Sequence, residues 1–548
     1  NDWPIRAALL STSDDTVLSL VVHHIAGDHR SAGVLFTDLL TAYRARSDRR
    51  PPSWQPLPVQ YADYAAWQAA LLDDRAGIVG PQREYWTRQL EGLPTGNGPR
   101  PDFARPPWLS GAGDAVEFGV GPDLRARLTA LGRELGVTEF MLLQAAVAVA
   151  LHKAGGGPEI PIGTPVAGRN EADLDQLIGF FVNILVLRND LRGNPTLREV
   201  LQRTREMALA AYAHQDLPFD QVVDAVSPAR SLSRNPLFDV VVHVRDQLPQ
   251  GRVIDGDTTF TALEPAFDVA HADMSVNFFA SDPEFDGGYR GHVIYRPELY
   301  RRATAQRFAD RLLRVVEAFA HRPDQTVPEL EIDSPNERRR ILDRSRAAGV
   351  YLLDASLNPA PVGVVGDVYY GGGPAVHARL ATPSLTAARL VADPFAAQPG
   401  SRLYRTGERG VWDDDGQLEL IAGVEPPASP PPVSRHPEPP VTPTERALAA
   451  ILSEALGAGE VGRHDEFFDL GGDSILAVRV AARARDAGLP LTPRMVFEHP
   501  VLHQLAATLD ARSGSESDSP DTHHAPMTTS GLSADELAAL TSSWGHQT

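Results

Sequence analysis

At 548 residues the chain is too long for one hydrophobic core, and ~150 residues per domain gives three or four domains. Its 51 basic and 71 acidic residues leave a net charge of −20, which argues against the basic face of a nucleic-acid binder. With 43% hydrophobic and 22% charged residues it can bury ordinary cores. Having no cysteine, it has no disulfide, cysteine nucleophile or thiolate metal site, and it suits a reducing, cytoplasmic compartment.

No apolar run approaches the ~20 residues of a membrane span. The longest, such as Met141–Leu151, are interrupted by residues like Gln144. Asp2, Arg6, Asp14 and Asp15 bracket a short apolar start, which argues against a signal peptide. The chain opens at Asn1 almost directly on a strand-like segment, so it is expected to begin inside a domain. Residues 1–345 alternate strand-like and helix-like patterns. Residues 346–424 are rich in glycine and β-type residues. The stretch 425–445 then carries nine prolines, which cannot sustain a helix or central strand, so 425–442 reads as an extended linker. Residues 443–512 have the pattern of a small helical domain, and 513–548 begin as a Ser/Asp-rich tether ending in a short amphipathic helix.

Val17–Val22 is expected to be a strand delivering His23 and His24, followed by Ile25, Ala26, Gly27 and Asp28. Ser31 is placed to cap a helix over Ala32–Arg46, with Val34, Leu35 and Leu39 at helical spacing. Neighbouring side chains on a strand point to opposite faces, so one histidine faces a cavity and the other packs elsewhere, which disfavours joint chelation of a metal. On local residues alone, two structural histidines at a strand end remain an equal reading.

The segment His23-His24-Ile25-Ala26-Gly27-Asp28 resembles the HHxxxDG signature of condensation domains of nonribosomal peptide synthetases. Five further phrases follow in that family's order: Tyr61–Trp67, Gly163–Arg169, Ile178–Asn183, His214–Asp220 and Arg230–Leu237. The resemblance implies a multidomain chain whose first part is a two-lobed α/β fold like chloramphenicol acetyltransferase. It departs from the family in two places. His29 stands where the family has a glycine able to take positive φ or allow a close approach, and only 22 residues precede His23, so part of the N-terminal lobe is expected to be missing. By resemblance, His24 serves as base or orienting group. His23 and Asp28 support the fold, and Arg169 is the expected bidentate partner of Asp28. Asn235 is either a channel hydrogen-bonding residue or a turn residue before Pro236.

Within 346–424, Pro361–Gly372, Leu385–Ala387 and Tyr404–Glu408 resemble a truncated adenylation domain. No phosphate loop precedes them, and Glu408 replaces the family's aspartate. The chain's one lysine, Lys153, lies far upstream of where that family places its catalytic lysine. ATP binding is therefore not expected, and Gly371-Gly372-Gly373 reads as a turn. Thr442 to Glu445 has capping-box spacing. Phe467–Leu476 resembles the LGGxSL signature of a four-helix peptidyl carrier domain over 443–512. That implies 4'-phosphopantetheine on Ser474 at a helix N-terminus. Ile475, Met495 and Val496 are either partner-facing or core. Residues 531–541 resemble a docking segment for a downstream synthetase subunit, with a disordered tail as the alternative.

The implied reaction is amide formation between a donor on an upstream carrier protein and an amine on this chain's carrier. The carrier would be loaded in trans by a stand-alone adenylation enzyme after modification by a phosphopantetheinyl transferase. No metal, nucleic acid or membrane is expected. The alternatives are a catalytically dead tethering platform and an ester-forming acyltransferase. The Val59–Trp67 and His214–Phe219 segments look most like those of domains taking L-configured donors. The Arg-, Ala-, Pro- and Gly-rich composition suggests a GC-rich bacterial source.

Overall fold

The computed structural model describes residues 3–13, 15–73, 77–94, 96–228, 231, 233–246, 253–255, 258–261, 263, 269–280, 287–371, 389–396, 400–421, 438–456, 461–467, 470, 480–481, 483–485, 487–492, 495–496, 499 and 501–513. The chain divides into two compact units, Asn1–Val433 and Ser434–Thr548.

The first unit opens on a hairpin of β1 (Ile5–Ser11) and β2 (Thr16–Val22), paired antiparallel with Leu9 opposite Leu18. Three helices follow: α1 (His29–Ser47), α2 (Tyr61–Leu72) and α3 (Val79–Gln89). Then come β3 (Asp114–Val120), α4 (Pro122–Leu135), α5 (Glu139–Leu151), β4 (Glu159–Val166), β5 (Asn183–Asp190), α6 (Leu197–Tyr212) and α7 (Phe219–Val226). Next are β6 (Val240–Asp246), the small hairpin β7 (Val253–Asp255) and β8 (Thr258–Phe260), then β9 (Met274–Ala280), β10 (Tyr289–Tyr295) and α8 (Arg302–His321).

Six of these strands form one sheet in the order β3-β10-β9-β6-β4-β5. Strand β6 runs parallel to both β4 and β9; the outer pairs are antiparallel. One face carries the main core. Helix α5 is apolar all round, which suits only a buried helix, and Met141–Leu151 is buried at every position. Thr138 caps it through its side chain on the Met141 amide. Helix α8 is amphipathic instead, burying Ala305, Phe308, Leu312, Val315, Val316 and Phe319 on one stripe of the same core. Among the described residues no single helix is long and apolar enough to cross a membrane; the apolar pair α4 and α5 is bent by 105°.

Helix α9 (Pro335–Ala348) starts with a capping box between Ser334 and Glu337. It leads into a second sheet of β11 (Val350–Leu353), β12 (Gly366–Gly371), β13 (Leu390–Ala392), β14 (Arg402–Trp412) and β15 (Leu418–Ile421). The pairings among these strands are all antiparallel. Ile341 of α9 shares a small core with Leu352, Val368 and Trp412, so this helix, which crosses residue 345, packs with the second sheet. Side chains tie this sheet to the preceding residues. Arg100 grips Glu419 with both terminal nitrogens (2.9 and 2.7 Å), Arg311 donates to the Val362 carbonyl, and Lys153 lies 3.8 Å from Asp354. Gly371 ends β12; Gly372 and Gly373 lie outside the described residues.

The second unit contains α10 (Pro443–Leu456) and α11 (Leu502–Ser513), with helical residues at 480–481 and 483–485 between them. The spacing read at Thr442 works as a capping box. Glu445 N–H donates to Thr442 Oγ1 (3.0 Å), and the Glu445 carboxylate accepts from the amides of Val441 and Thr442. Leu448, Leu452, Phe467, Val480, Leu502 and Leu505 form the core. Met495 and Val496 are buried in it, so they are core residues and not partner-facing ones. Ile475 lies outside the described residues.

Candidate active site and carrier site

Strand β2 stops at Val22, and His24–Ala26 form a single 3-10 turn. Both histidines therefore sit on the turn and both are exposed, so alternation along a strand does not separate them. Their hydrogen bonds do. His23 precedes the turn as its cap, its Nδ1 accepting from the Ile25 amide at 3.1 Å. A nitrogen that accepts is unprotonated, so the neutral His23 ring carries its hydrogen on Nε2. His24 is the reverse. Its Nδ1 lies 2.9 Å from the Gly27 carbonyl, which can only accept, so Nδ1–H donates and in the neutral ring the lone pair is on Nε2. The His24 ring also packs edge-on against Phe180, with centroids 5.1 Å apart.

The turn is held from below by a buried polar cluster. Asp28, not Ser31, is the N-cap of α1, because an aspartate oxygen reaches the amide three residues on. Asp28 Oδ1 accepts from the Ser31 amide and hydroxyl, both at 2.8 Å, and Oδ2 accepts from the Phe181 amide at 3.1 Å. Arg169 stands 3.3 Å from Asp28 Oδ1, the two side chains being 1% and 5% exposed. The contact uses one nitrogen and is not bidentate: the other terminal nitrogen is turned to backbone carbonyls, and Nε has no hydrogen-bond partner among the described residues. Nη1 donates to the carbonyls of Leu174 and Leu177, and Nη2 also reaches Ser31 Oγ at 3.0 Å. The guanidinium lies 4.0 Å above the Phe181 ring. Gly168 makes this approach possible: its φ is +62°, and a Cβ there would collide with the Phe181 carbonyl.

Burial alone would raise the Asp28 pKa. The hydrogen bonds from Ser31 and Phe181, with Arg169 beside it, more than offset this and hold it below the ordinary carboxylate value. A depressed folded pKa contributes stability above the unfolded value of about 3.9, and that stability is lost as pH falls through the lower folded value. Asp28→Asn should therefore flatten the acid end of the stability profile below about pH 4, read by urea unfolding across pH. Arg169→Met leaves a buried carboxylate without its cation and should cost about 3–5 kcal/mol at pH 7, read as a lower urea midpoint.

His29 is the first residue of α1 and is absent from the positions with positive φ. Helical backbone suits histidine, so the departure from glycine imposes no strain there. Asn235 Oδ1 accepts from the Leu237 amide at 3.1 Å, the local bond of an Asx turn. The structure thus brings His24, Asp28 and Arg169 into one loop cluster and gives Asn235 a turn bond of its own. Sequence reading missed Ser31, whose buried hydroxyl accepts from the Gly179 amide and shares its one hydrogen between Asp28 Oδ1 and the Gly179 carbonyl. It also missed Tyr61, whose hydroxyl donates to the Phe180 carbonyl at 2.8 Å. The signal was available in the ordered phrases. Tyr61, Gly168–Arg169 and Gly179–Phe181 all converge on Asp28. Asn183 in turn pins the next phrase, donating to the carbonyls of Gln215 and Leu217 and accepting from the Phe219 amide.

Ser474 lies outside the described residues, but both ends of its segment are anchored in the second unit. Leu470 packs on the core and Val480 is in it. A serine hydroxyl is the donor that a phosphodiester link requires, and nothing else in the LGGDS phrase supplies one. Among the described residues no cluster of three or more His, Asp or Glu is placed to hold a metal.

The model of the condensation domain matches residues 1–342, and that of the phosphopantetheine attachment site matches 446–509. Similar curated proteins include "Probable non-canonical nonribosomal peptide synthetase (NRPS) CymA" of Salinispora arenicola, 42% identical over 349 residues (62% of this chain, 4% of that protein). Another is the dimodular nonribosomal peptide synthase of Bacillus subtilis, 41% identical over 335 residues (60% of this chain, 14% of that protein). This chain therefore spans only a small part of the curated relatives it matches. Among solved structures, the X-domain from teicoplanin biosynthesis is 32% identical with TM-score 0.56, covering 60% of this chain and 75% of that one. The X-domain in complex with OxyB gives a TM-score of 0.55 at 32% identity, covering 61% and 74%. The four-domain synthetase AB3403 shares the fold at TM-score 0.74 and 15% identity, over 93% of this chain and 70% of that one. The 4'-phosphopantetheine cofactor follows from the attachment domain, with Ser474 as its expected serine. With a match over more than half of its residues, this chain belongs to the condensation-domain family of nonribosomal peptide synthetases and carries a phosphopantetheine-attachment domain behind it.

Proposed function

We propose that this chain forms an amide bond between an acyl group delivered as a thioester by an upstream carrier protein and an amine held on its own carrier domain. The observation that carries the reading is the hydrogen bond of His24 to the Gly27 carbonyl, which leaves Nε2 as a free acceptor on a clamped loop. An attacking amine must lose a proton as the tetrahedral centre forms, and a fixed imidazole lone pair takes it or holds the amine in line. His23 caps the turn. Asp28, Arg169 and Ser31 keep it in place without touching substrate. When bound, the phosphopantetheine group supplies a thiol that this cysteine-free chain otherwise lacks. We assign its attachment to Ser474.

In this reading the sheet over 350–421 is an adenylation remnant that activates nothing. In support, Lys153 is half-buried beside Asp354 and the Pro328 carbonyl, far upstream of this sheet in sequence, and is the chain's one lysine. Loading then falls to a separate adenylating enzyme, and attachment of the arm to a phosphopantetheinyl transferase. Residues 531–541 are assigned as the docking segment for a downstream subunit. Incubating the phosphopantetheinylated chain with ATP and each proteinogenic amino acid should give no mass increase. Self-loading with any of them overturns trans loading.

A second reading is a platform that holds an intermediate for another enzyme. The 32% identity to an X-domain solved in complex with OxyB favours it. Product that forms equally well without His24 would support this alternative.

A further inference from the structure

The sheet face opposite the core carries a charge that the reaction above leaves unused. Val240 and Val242 of β6 are buried in the core, so alternation places His243 and Arg245 on the other face. The register sets His243 beside Asn277 of β9 and Arg245 beside Phe279. His29, at the start of α1, is near enough for its charge to act on His243, so this face adjoins the loop that holds His24.

Arg245 Nη2 lies 2.9 Å from His243 Nδ1. A guanidinium only donates, so Nδ1 is bare and the neutral ring carries its hydrogen on Nε2. Burial first, then Arg245, His29 and His271, push His243 down to about 3, so it is neutral at pH 7. Burial also lowers Arg245, but an arginine stays protonated at neutral pH. Among the described residues its one hydrogen-bond partner is His243, and no carboxylate faces it. Asn277 is 3% exposed, and its Nδ2 has no hydrogen-bond partner among the described residues. The place therefore offers an arginine fork, an imidazole N–H and a buried amide N–H, one positive charge and no described counter-ion. An uncompensated, half-buried charge weakens a fold, and the apolar core on the opposite face has no use for it.

We infer that Arg245, with His243 and Asn277, is a subsite for a carboxylate carried by the acyl or aminoacyl substrate. Its substrate role rests on the condensation reading. The planar fork matches two coplanar oxygens, and the neighbouring N–H groups complete the donor set. The phosphate of a pantetheine arm has related chemistry, and the test separates the two.

Calorimetric titration of the full chain would use aminopantetheine amides, stable isosteres of the thioester, bearing aspartyl or asparaginyl and glutamyl or glutaminyl groups. At least one acidic member should bind tenfold or more tightly than its neutral counterpart. Arg245→Gln should erase that preference while leaving the neutral probes unchanged and the melting temperature no lower. Arg245→Lys, which keeps the charge without the fork, should reduce the preference and covers the case in which the glutamine variant does not fold. Equal affinities within both pairs, or a preference that survives Arg245→Gln, overturns the assignment. So does an Arg245-dependent preference for 4'-phosphopantetheine over pantetheine without any acidic preference, which would assign the charge to the arm. Binding needs no turnover. Acidic preference without product formation sinks the condensation reading and keeps the subsite; product formation without acidic preference does the opposite.

Discussion

Changing His24 to alanine is expected to lower amide formation by roughly 100- to 10,000-fold, the usual contribution of a positioned proton-transfer group. The measurement is single-turnover product formation, followed by mass spectrometry, with both carriers loaded beforehand. The loop should survive the change. Among the described residues His24 makes one side-chain hydrogen bond, to Gly27, while the turn is capped by His23 and the start of α1 by Asp28. An unchanged urea midpoint alongside lost product therefore separates a chemical role from a structural one. His23→Ala removes the cap on the Ile25 amide instead, and should lower activity less while loosening the turn. Undiminished product with alanine at position 24 would eliminate His24 as the acting group and favour the platform reading.

Replacing Ser474 with alanine should abolish the arm altogether. After treatment with a phosphopantetheinyl transferase and coenzyme A, the native chain should gain one arm's mass and the Ser474→Ala chain none. The effect is all-or-none because a methyl group cannot form the phosphodiester. The fold should be little affected, since the core of the second unit is built from Leu448, Leu452, Phe467, Val480, Leu502 and Leu505. An arm on the alanine variant would place the attachment at another hydroxyl and undo the assignment.

The ordered phrases made the family legible, and most of them converge in space for a reason that only the fold supplies. Tyr61, Arg169 and Phe181 are far apart in sequence, yet Arg169 and Phe181 both bond Asp28 in the loop after β2, and Tyr61 holds the neighbouring Phe180 carbonyl. Their spacing along the chain carries no distance, so the number of bonds each guanidinium nitrogen makes could not be read from it. The expected fork on Asp28 became a single contact because Leu174 and Leu177 draw Nη1 away and Nη2 is shared with Ser31. The helix start moved from Ser31 to Asp28 for a similar reason. Both residues are good caps, and what decided between them was that Ser31 is buried against Gly179.

By itself the sequence determined the composition-level exclusions, the strand before the histidines, the capping box at Thr442 and the family to which the chain belongs. These rest on local chemistry: side-chain type, periodicity and short fixed spacings. Tertiary structure alone decided which nitrogen of His24 donates, that His29 sits in relaxed helical backbone, that Met495 and Val496 are core, and that His243 stands beside Asn277 with Arg245 next to Phe279. Each of those depends on which distant groups arrive within about 3–4 Å, and hydrogen bonds and burial act only at that range.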